Sequence, residues 1–322
     1  MRAIRVESPG GPEVLHLVEL PTPSAGAGQA LVRVEAAGVN FIDIYQRAGV
    51  YKLDLPFTLG QEGAGVVESV GAGVTEVAAG DRVAWAGPMG SYATHQVLPA
   101  ARLVKVPEGV DAKSAAAAML QGMTAHYLVN DTYRLKAGDV ALMHAAAGGV
   151  GQLFCQLARR AGAHVIGTAG GPDKVALALK AGADEGIDYK AADFEAEVKR
   201  LTLGKGVHVV YDSVGADTFD KSLRCLRPRG LVVLFGASSG PVPPLDLQRL
   251  AAGGSLYLTR PTLGTYVATR EELVARAGAV LGAVQRGELK LRLEEPMPLE
   301  KAGDAHRLLA GRKTTGKLLL IP

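Results

Sequence analysis

Residues 138–162, GDVALMHAAAGGVGQLFCQLARRAG, decide the fold. A short apolar run over 140–143 reaches alanines and glycines at 145–151, and then Leu153, Phe154, Leu157 and Ala158 recur at helical spacing. Strand, tight turn and helix in that order make a dinucleotide-binding turn. Small residues let the backbone approach a pyrophosphate, and the N–H groups of the first helical turn, with the helix dipole behind them, face its charge. Taken alone, the pattern also fits an ordinary tight turn with close helix packing.

The flanking chain discriminates between these. Beyond residue 121 short apolar runs alternate with helical patterns: strands at 140–143, 164–167, 185–188, 207–212, 231–236 and 255–259, and helices at 150–161, 174–181, 194–201 and 219–226. Such an alternation implies right-handed crossovers and a doubly wound parallel sheet of six strands covered on both faces.

Residues 1–121 read differently. Short β-like runs at 3–7, 15–20, 30–37, 65–70, 82–84 and 94–98, separated by Gly and Pro, predict a β-rich domain. A short helix over 111–119 and another beginning over 124–129 are expected before the strand at 140. After Arg260-Pro261 the alternation stops. A helix over 270–286 with Glu271 and Glu272 in its first turn, strands at 290–294 and 316–321, and a helix over 299–309 follow. This tail is too short for a domain and is expected to complete the first one, so that the nucleotide domain, 122–261, is an insertion between 1–121 and 262–322.

Composition sets the broad class. At 322 residues, two domains are expected on a prior of about 150 residues each. Apolar content of 48% with 21% charged residues is that of an ordinary globular protein. The net charge of +3 is dispersed, which argues against a protein built for nucleic acid. Cys155 and Cys225 are widely separated, both on apolar runs, and read as core thiols of a protein in the reducing cytoplasm. No signal core and no apolar run of about twenty residues is seen, so neither secretion nor membrane insertion is expected.

An NAD enzyme places an acid on the adenosine ribose about 20 residues past the turn. None stands near Gly167-Thr168-Ala169. Gly170-Gly171-Pro172-Asp173-Lys174 follows instead, a small-residue loop and then a cation that can receive a 2′-phosphate, with Asp173 as a possible helix N-cap. This predicts NADPH, the alternative being that Lys174 is a solvated surface lysine.

Two further stretches, GVNFIDIYQRAGVY at 38–51 and LGQEGAGVV at 59–67, accompany the glycine turn. Together with LQGMTA at 120–125, VYDSVG at 210–215, FGASSG at 235–240 and LTRP at 258–261, they resemble the medium-chain dehydrogenase/reductase superfamily. Within it, they resemble the zeta-crystallin-like quinone oxidoreductases. The resemblance runs over nearly the whole chain and implies a Rossmann domain inserted into a GroES-like catalytic domain. The departures from zinc alcohol dehydrogenases are informative. Asn40 and Gln61 stand where those enzymes hold catalytic zinc with a cysteine and a histidine, and the four-cysteine structural lobe is absent. Amides make poor zinc ligands, so no metal is expected. Without a Lewis acid, alcohol oxidation is disfavoured, and reduction of a conjugated carbonyl by NADPH remains.

The same resemblance assigns roles. Asn40, Asp43, Tyr45 and Tyr51 line the nicotinamide and substrate cleft, with Tyr45 the first choice for a hydrogen-bond donor to the carbonyl oxygen. The alternative is that both tyrosines pack the loop and Asp43 is structural. Thr124 is implied to contact the nicotinamide side, Gly148, Gly149, Val150 and Gly151 the pyrophosphate, and Gly170, Lys174 and Tyr189 the 2′-phosphate. Phe235, Ser238 and Ser239 follow a strand's carboxyl end, where ligands sit in such sheets. His126 and His144 read as satisfied packing residues, and His95 has no recognisable partner. The function implied is NADPH-dependent quinone reduction. Enone, alkenal or enoyl-thioester reduction is the neighbouring alternative, and a non-catalytic nucleotide- or RNA-binding protein the distant one. A homodimer paired through the 255–259 edge is expected, with a small-molecule substrate and neither nucleic acid nor membrane as partner.

Overall fold

In the computed structural model, which describes residues 1–322, the chain divides into two units, Met1–Met123 with Tyr266–Pro322, and Thr124–Thr265. Glycine-bounded, β-branched segments of the first unit pair into two sheets. His16–Glu19, Arg2–Val6 and Phe57–Thr58 form a small antiparallel sheet. A larger one runs Met297–Pro298, Leu319–Ile321, Gln29–Gly38, Glu62–Val70, Arg82–Ala86 and Val104–Lys105, with His95–Pro99 also paired to Gln29–Gly38. Trp85, Tyr92, Leu59, Leu98, Leu103 and Leu320 pack the core of this unit.

Strand pairing brings distant chemistry together at one end of the larger sheet. Leu319 pairs with Gly38, and Gly63 with Ala37. Gly38, the chain just after it, Glu62 and the residues preceding Leu319 are therefore neighbours although the sequence separates them by up to hundreds of residues.

The second unit is a six-stranded parallel sheet in the order Glu185–Asp188, His164–Ala169, Val140–Met143, Val207–Asp212, Leu226–Leu234, Tyr257–Thr259. This is the strand order 3-2-1-4-5-6, in which the crossovers reverse direction between Val140–Met143 and Val207–Asp212 and open a crevice at their carboxyl ends. Leu142, Ile166, Val210, Val232 and Phe219 fill the core beneath it.

Several expected boundaries move. One helix, Ala112–Tyr127, replaces the two expected pieces and runs into a π-turn at Leu128–Thr132. Gly122 does not break it, because the missing Cβ is used for packing: one there would lie 2.5 Å from Val280 Cγ1. The strand expected at 231–236 begins earlier, at Leu226, where Leu226 pairs with Val207 across a register shift. Residues 290–294 form no strand beyond a single bridge from Leu293 to Lys317. The strand lies instead at Met297–Pro298, parallel to Leu319–Ile321. No helix is long and apolar enough to cross a membrane.

Candidate active site

On the nucleotide side, the turn after Val140–Met143 is built by backbone geometry. Ala145 takes a left-handed φ of 52°, Gly148 donates its N–H to Ala145 O at 2.8 Å, and Gly148 is the N-cap of helix Gly149–Arg160. Gly149, Val150 and Gly151 form the first turn, whose N–H groups have no partner within the helix. Gly151 has no room for a side chain, since a Cβ would collide with Ala145 O and lie 2.7 Å from Ala146 Cα. Beneath the turn, buried His144 bridges three elements. Its Nδ1 is 2.9 Å from Thr168 Oγ1 and its Nε2 3.0 Å from Ser222 Oγ, which in turn donates to Asp212 Oδ2 at 2.9 Å. Burial lowers the His144 pKa against the opposing charge of Asp212, so the ring is held neutral.

At the end of the second strand, Tyr189 Oη lies against Gly170, where a Cβ would stand 2.5 Å from that oxygen and 3.3 Å from Lys190 Cε. Asp188 accepts the N–H groups of Gly171 and Lys190 at 2.9 and 3.0 Å, so its carboxylate shapes this loop. Lys174 lies on helix Pro172–Lys180, half-buried. Asp173 is inside the first turn of that helix rather than its cap, which is Gly171 with a φ of 105°. Phe235, Ser238 and Ser239 follow strand Leu226–Leu234, half-buried. Ser239 is engaged structurally: its Oγ donates to Val214 O at 2.8 Å and accepts from Asp217 N at 3.0 Å. Thr124 is buried on helix Ala112–Tyr127.

The other expected site residues lie in the first unit. Asn40 caps helix Phe41–Arg47, Tyr45 is half-buried on that helix, and Tyr51 is exposed beyond it, with the rings of Phe41, Tyr45 and Tyr51 in sequence at 6.3 and 6.4 Å. Asp43 does not share that surface. It is wholly buried, with Oδ2 accepting the Asn40 backbone N–H at 2.8 Å and the Tyr92 hydroxyl at 3.0 Å. Burial pushes its pKa up to about 7 against those hydrogen bonds. Asp43 thus holds the helix cap and cannot touch substrate, which corrects its catalytic assignment. Tyr92 continues inward to His306 Nε2 at 3.2 Å, and His306 Nδ1 faces Arg47 Nη1 at 3.2 Å. Because the guanidinium only donates, Nδ1 accepts and Nε2 carries the proton. Burial, then the charge of Arg47, pushes His306 down to about 3.

The Asn40 amide is also engaged. Nδ2 donates to Glu62 Oε2 at 2.8 Å and lies 3.4 Å from Gly38 O, while Oδ1 accepts from Lys317 Nζ at 2.7 Å. Lys317 pairs directly with Glu62, whose other oxygen accepts the Leu120 N–H at 2.5 Å. Both ends of the Asn40 amide are thus held by buried partners. No group of three or more His, Cys, Asp or Glu side chains is placed to hold a metal ion.

Residues 26–108 match the family described as alcohol dehydrogenase GroES-like domain, and 149–277 the family described as zinc-binding dehydrogenase. The chain is 47% identical to a quinone oxidoreductase of Pseudomonas aeruginosa, covering 100% of this chain and 99% of the relative. A 2-haloacrylate reductase of Burkholderia is 42% identical, with 98% of each chain covered. The structure of Escherichia coli quinone oxidoreductase complexed with NADPH aligns at a TM-score of 0.98 and 44% identity, covering 100% of both chains. The chain belongs to the quinone oxidoreductases of the medium-chain dehydrogenase/reductase superfamily.

For a member of this quinone oxidoreductase family, sequence reading missed the buried polar groups: Glu62, Lys317, Tyr92 and His306 in one unit, Asp212 and Ser222 in the other. One signal was available. Lys317 directly precedes the apolar run 318–321, and a lysine abutting a buried strand asks for a partner. His95 also proves partnered, 3.4 Å from Glu68 and 3.0 Å from Thr94 Oγ1.

Proposed function

We propose that this quinone oxidoreductase reduces quinones to hydroquinones with NADPH. The observation that carries the cofactor reading is the turn at 148–151, where Gly151, with no room for a Cβ, packs the helix tightly on the strand end and the N–H groups of the first helical turn are left without partners in the helix. Gly148, Gly149 and Val150 complete the pyrophosphate cradle proposed there. Gly170 with the Tyr189 hydroxyl over it, Lys174 and, from the structure, Lys190 are the groups proposed to receive the 2′-phosphate. Thr124, Phe235 and Ser238 are proposed to line the nicotinamide side.

When bound, NADPH supplies the hydride. The chain's own residues then orient the acceptor and bear the charge that develops on its oxygen. Tyr45 is proposed as the phenol donor, Tyr51 as the exposed ring that stacks on a flat substrate, and Asn40 as the residue that fixes the helix carrying Tyr45. A second reading, reduction of a conjugated acid or enone, is favoured by the 2-haloacrylate reductase among the relatives. Steady-state rates on naphthoquinones, phenanthrenequinone, alkenals and crotonyl thioesters separate the two, and turnover of alkenals with none of any quinone would overturn the first.

The edge strand Tyr257–Thr259 carries Tyr257 at 61% exposure and Leu258 at 38%, and we propose that it pairs with a second copy. The buried free thiols of Cys155 and Cys225, each pushed by burial up to about 12, are unreactive and accord with a cytoplasmic location.

A further inference from the structure

Four polar side chains are sealed beneath the glycine turn of the second unit: His144 and Thr168 at 1% exposure, Asp212 and Ser222 at 0%. They form one chain of hydrogen bonds whose direction is fixed. Ser222 spends its single hydroxyl proton on Asp212 Oδ2, so it accepts from His144 Nε2, and Nδ1 is left to accept the hydroxyl proton of Thr168. Every proton therefore points toward Asp212. A buried chain of this kind costs desolvation that apolar packing avoids, and it can specify geometry because each member is satisfied.

The anchoring points say which geometry. His144 directly follows strand Val140–Met143 and precedes Ala145, whose left-handed φ opens the turn. Thr168 lies in His164–Ala169 just ahead of Gly170 and Gly171, and its carbonyl also accepts the Ala146 N–H at 3.0 Å. Asp212 closes Val207–Asp212. Its Oδ1 accepts the N–H groups of Val214 and Gly215 at 2.8 and 3.0 Å and the Thr218 hydroxyl at 2.9 Å. That loop in turn holds the next one, since Ser213 O accepts the Ser238 N–H at 3.1 Å and Val214 O the Ser239 N–H at 2.8 Å. A Cβ on Gly215 would stand 2.7 Å from Gly240 O, and one on Gly236 2.6 Å from Ser213 O, so the two loops meet backbone to backbone. The chain thus joins the carboxyl ends of three adjacent strands at the crevice where the strand order reverses.

We propose that His144 is the positioning residue of the cofactor site, a rigid spacer with two separable arms. The Thr168 arm sets the 2′-phosphate loop at Gly170–Lys174 against the pyrophosphate turn, and the arm through Ser222 and Asp212 sets Phe235 and Ser238 at the nicotinamide. The inference rests on the NADPH reading of those loops. Histidine suits the place because a neutral imidazole offers one donor and one acceptor on a ring of fixed width. Burial, which lowers its pKa, keeps Nδ1 available as the acceptor. None of the four side chains needs to reach the ligand, since each acts through the loop it anchors.

Substitutions that remove one hydroxyl each, made in the full chain, separate the arms. Thr168→Val should weaken NADPH about fivefold to tenfold, as loss of one buried hydrogen bond does, and weaken NADH less, because NADH has no 2′-phosphate for the loop to hold. Ser222→Ala should weaken the two nucleotides alike and lower the fluorescence of bound NADPH, which reports how firmly the nicotinamide ring is held. His144→Leu should show both losses, and His144→Gln, which keeps a donor and an acceptor, should recover part of each. Nitrogen-15 NMR of wild type should find His144 as the Nε2–H tautomer. Amide hydrogen exchange needs no cofactor: Ala146 and Gly148 should exchange faster in His144→Leu and in Thr168→Val than in wild type. If His144→Leu fails to fold, the two hydroxyl variants carry the test. If wild type binds no NADPH, the cofactor reading fails, and the exchange and the tautomer still decide whether His144 holds the turn. Variants that lose thermal stability yet keep nucleotide affinity, fluorescence and exchange make the chain structural only and overturn the proposal. The opposite tautomer, or one and the same pattern of losses from both arms, overturns it as well.

Discussion

Gly151 and the pair Asp43 and His306 show how single atoms set behaviour here. Gly151→Ala adds a methyl group against Ala145 O and Ala146 Cα, backbone that belongs to the same turn and cannot retreat without distorting it. Overpacking of this kind costs about 1–3 kcal/mol, and the distortion moves the N–H groups proposed for the pyrophosphate. Thermal denaturation should show the loss of stability, and NADPH titration a weaker complex; unchanged affinity would sink the cradle. Lys174→Ala is expected to weaken NADPH more than NADH, with equal losses excluding Lys174 as a reader of the 2′-phosphate. Asp43 and His306 make a prediction about pH. His306 is depressed from 6.5 to about 3, so below pH 6.5 the unfolded chain takes a proton the folded chain refuses; its contribution is full above 6.5 and is lost as pH falls toward 3. Asp43 is raised from 3.8 to about 7, so its contribution is full below 3.8 and is lost as pH rises through 7. Between these limits the two slopes oppose, each up to roughly 1.4 kcal/mol per pH unit. Asp43→Asn should therefore lose stability more steeply than wild type between pH 6.5 and 4.5, and His306→Gln should gain relative stability over the same range. Parallel denaturation profiles for all three proteins would refute the compensation.

Among the elements, helices whose ends are specified locally were legible, and elements held by remote partners were not. Helix Arg270–Gln285 begins with a capping box: the Thr269 side chain accepts the Glu272 N–H at 3.2 Å, and Glu272 Oε2 accepts the Thr269 N–H at 3.1 Å. Acids in the first turn had marked that start in the sequence. Thr269→Ala should cost about 1 kcal/mol in denaturant unfolding while leaving kcat unchanged, because the cap touches no proposed site residue. By contrast, the break expected between a helix at 111–119 and another beginning over 124–129 is absent, since one helix, Ala112–Tyr127, runs through it. Gly122 looks like a breaker in sequence, yet its bare Cα is what lets Val280 approach. The strand expected at 290–294 failed for a related reason. Arg292 O and the Glu294 N–H bond the Lys317 backbone at 2.8 and 3.0 Å, but this single bridge at Leu293 does not extend into a ladder.

For the whole molecule, the proposed association uses the sheet's open edge. Leu258→Lys would set a charge at the centre of a two-fold contact through Tyr257–Thr259, and light scattering should then report a monomer where wild type reports a dimer. A wild-type monomer removes that proposal. The second unit's doubly wound parallel sheet could be anticipated because parallel strands joined by helices have few un-knotted, right-handed solutions, and periodicity alone locates the pieces. The glycine turn was equally legible, since strand, small residues and helix are contiguous in the chain. The buried polar residues around Asn40 were not. Lys317 meets Asn40 and Glu62 only because Leu319–Ile321 pairs with Gln29–Gly38 and that strand with Glu62–Val70. His306 meets Tyr92 and Arg47 through helix packing. Local patterns encode dihedral preference and amphipathic faces, which depend on near neighbours, and so the sequence by itself carried the two architectures and the cofactor turn. Buried charge pairs and hydrogen-bond chains depend on which distant groups share a water-free volume, and only the folded sheet brought Lys317 and Glu62 into one.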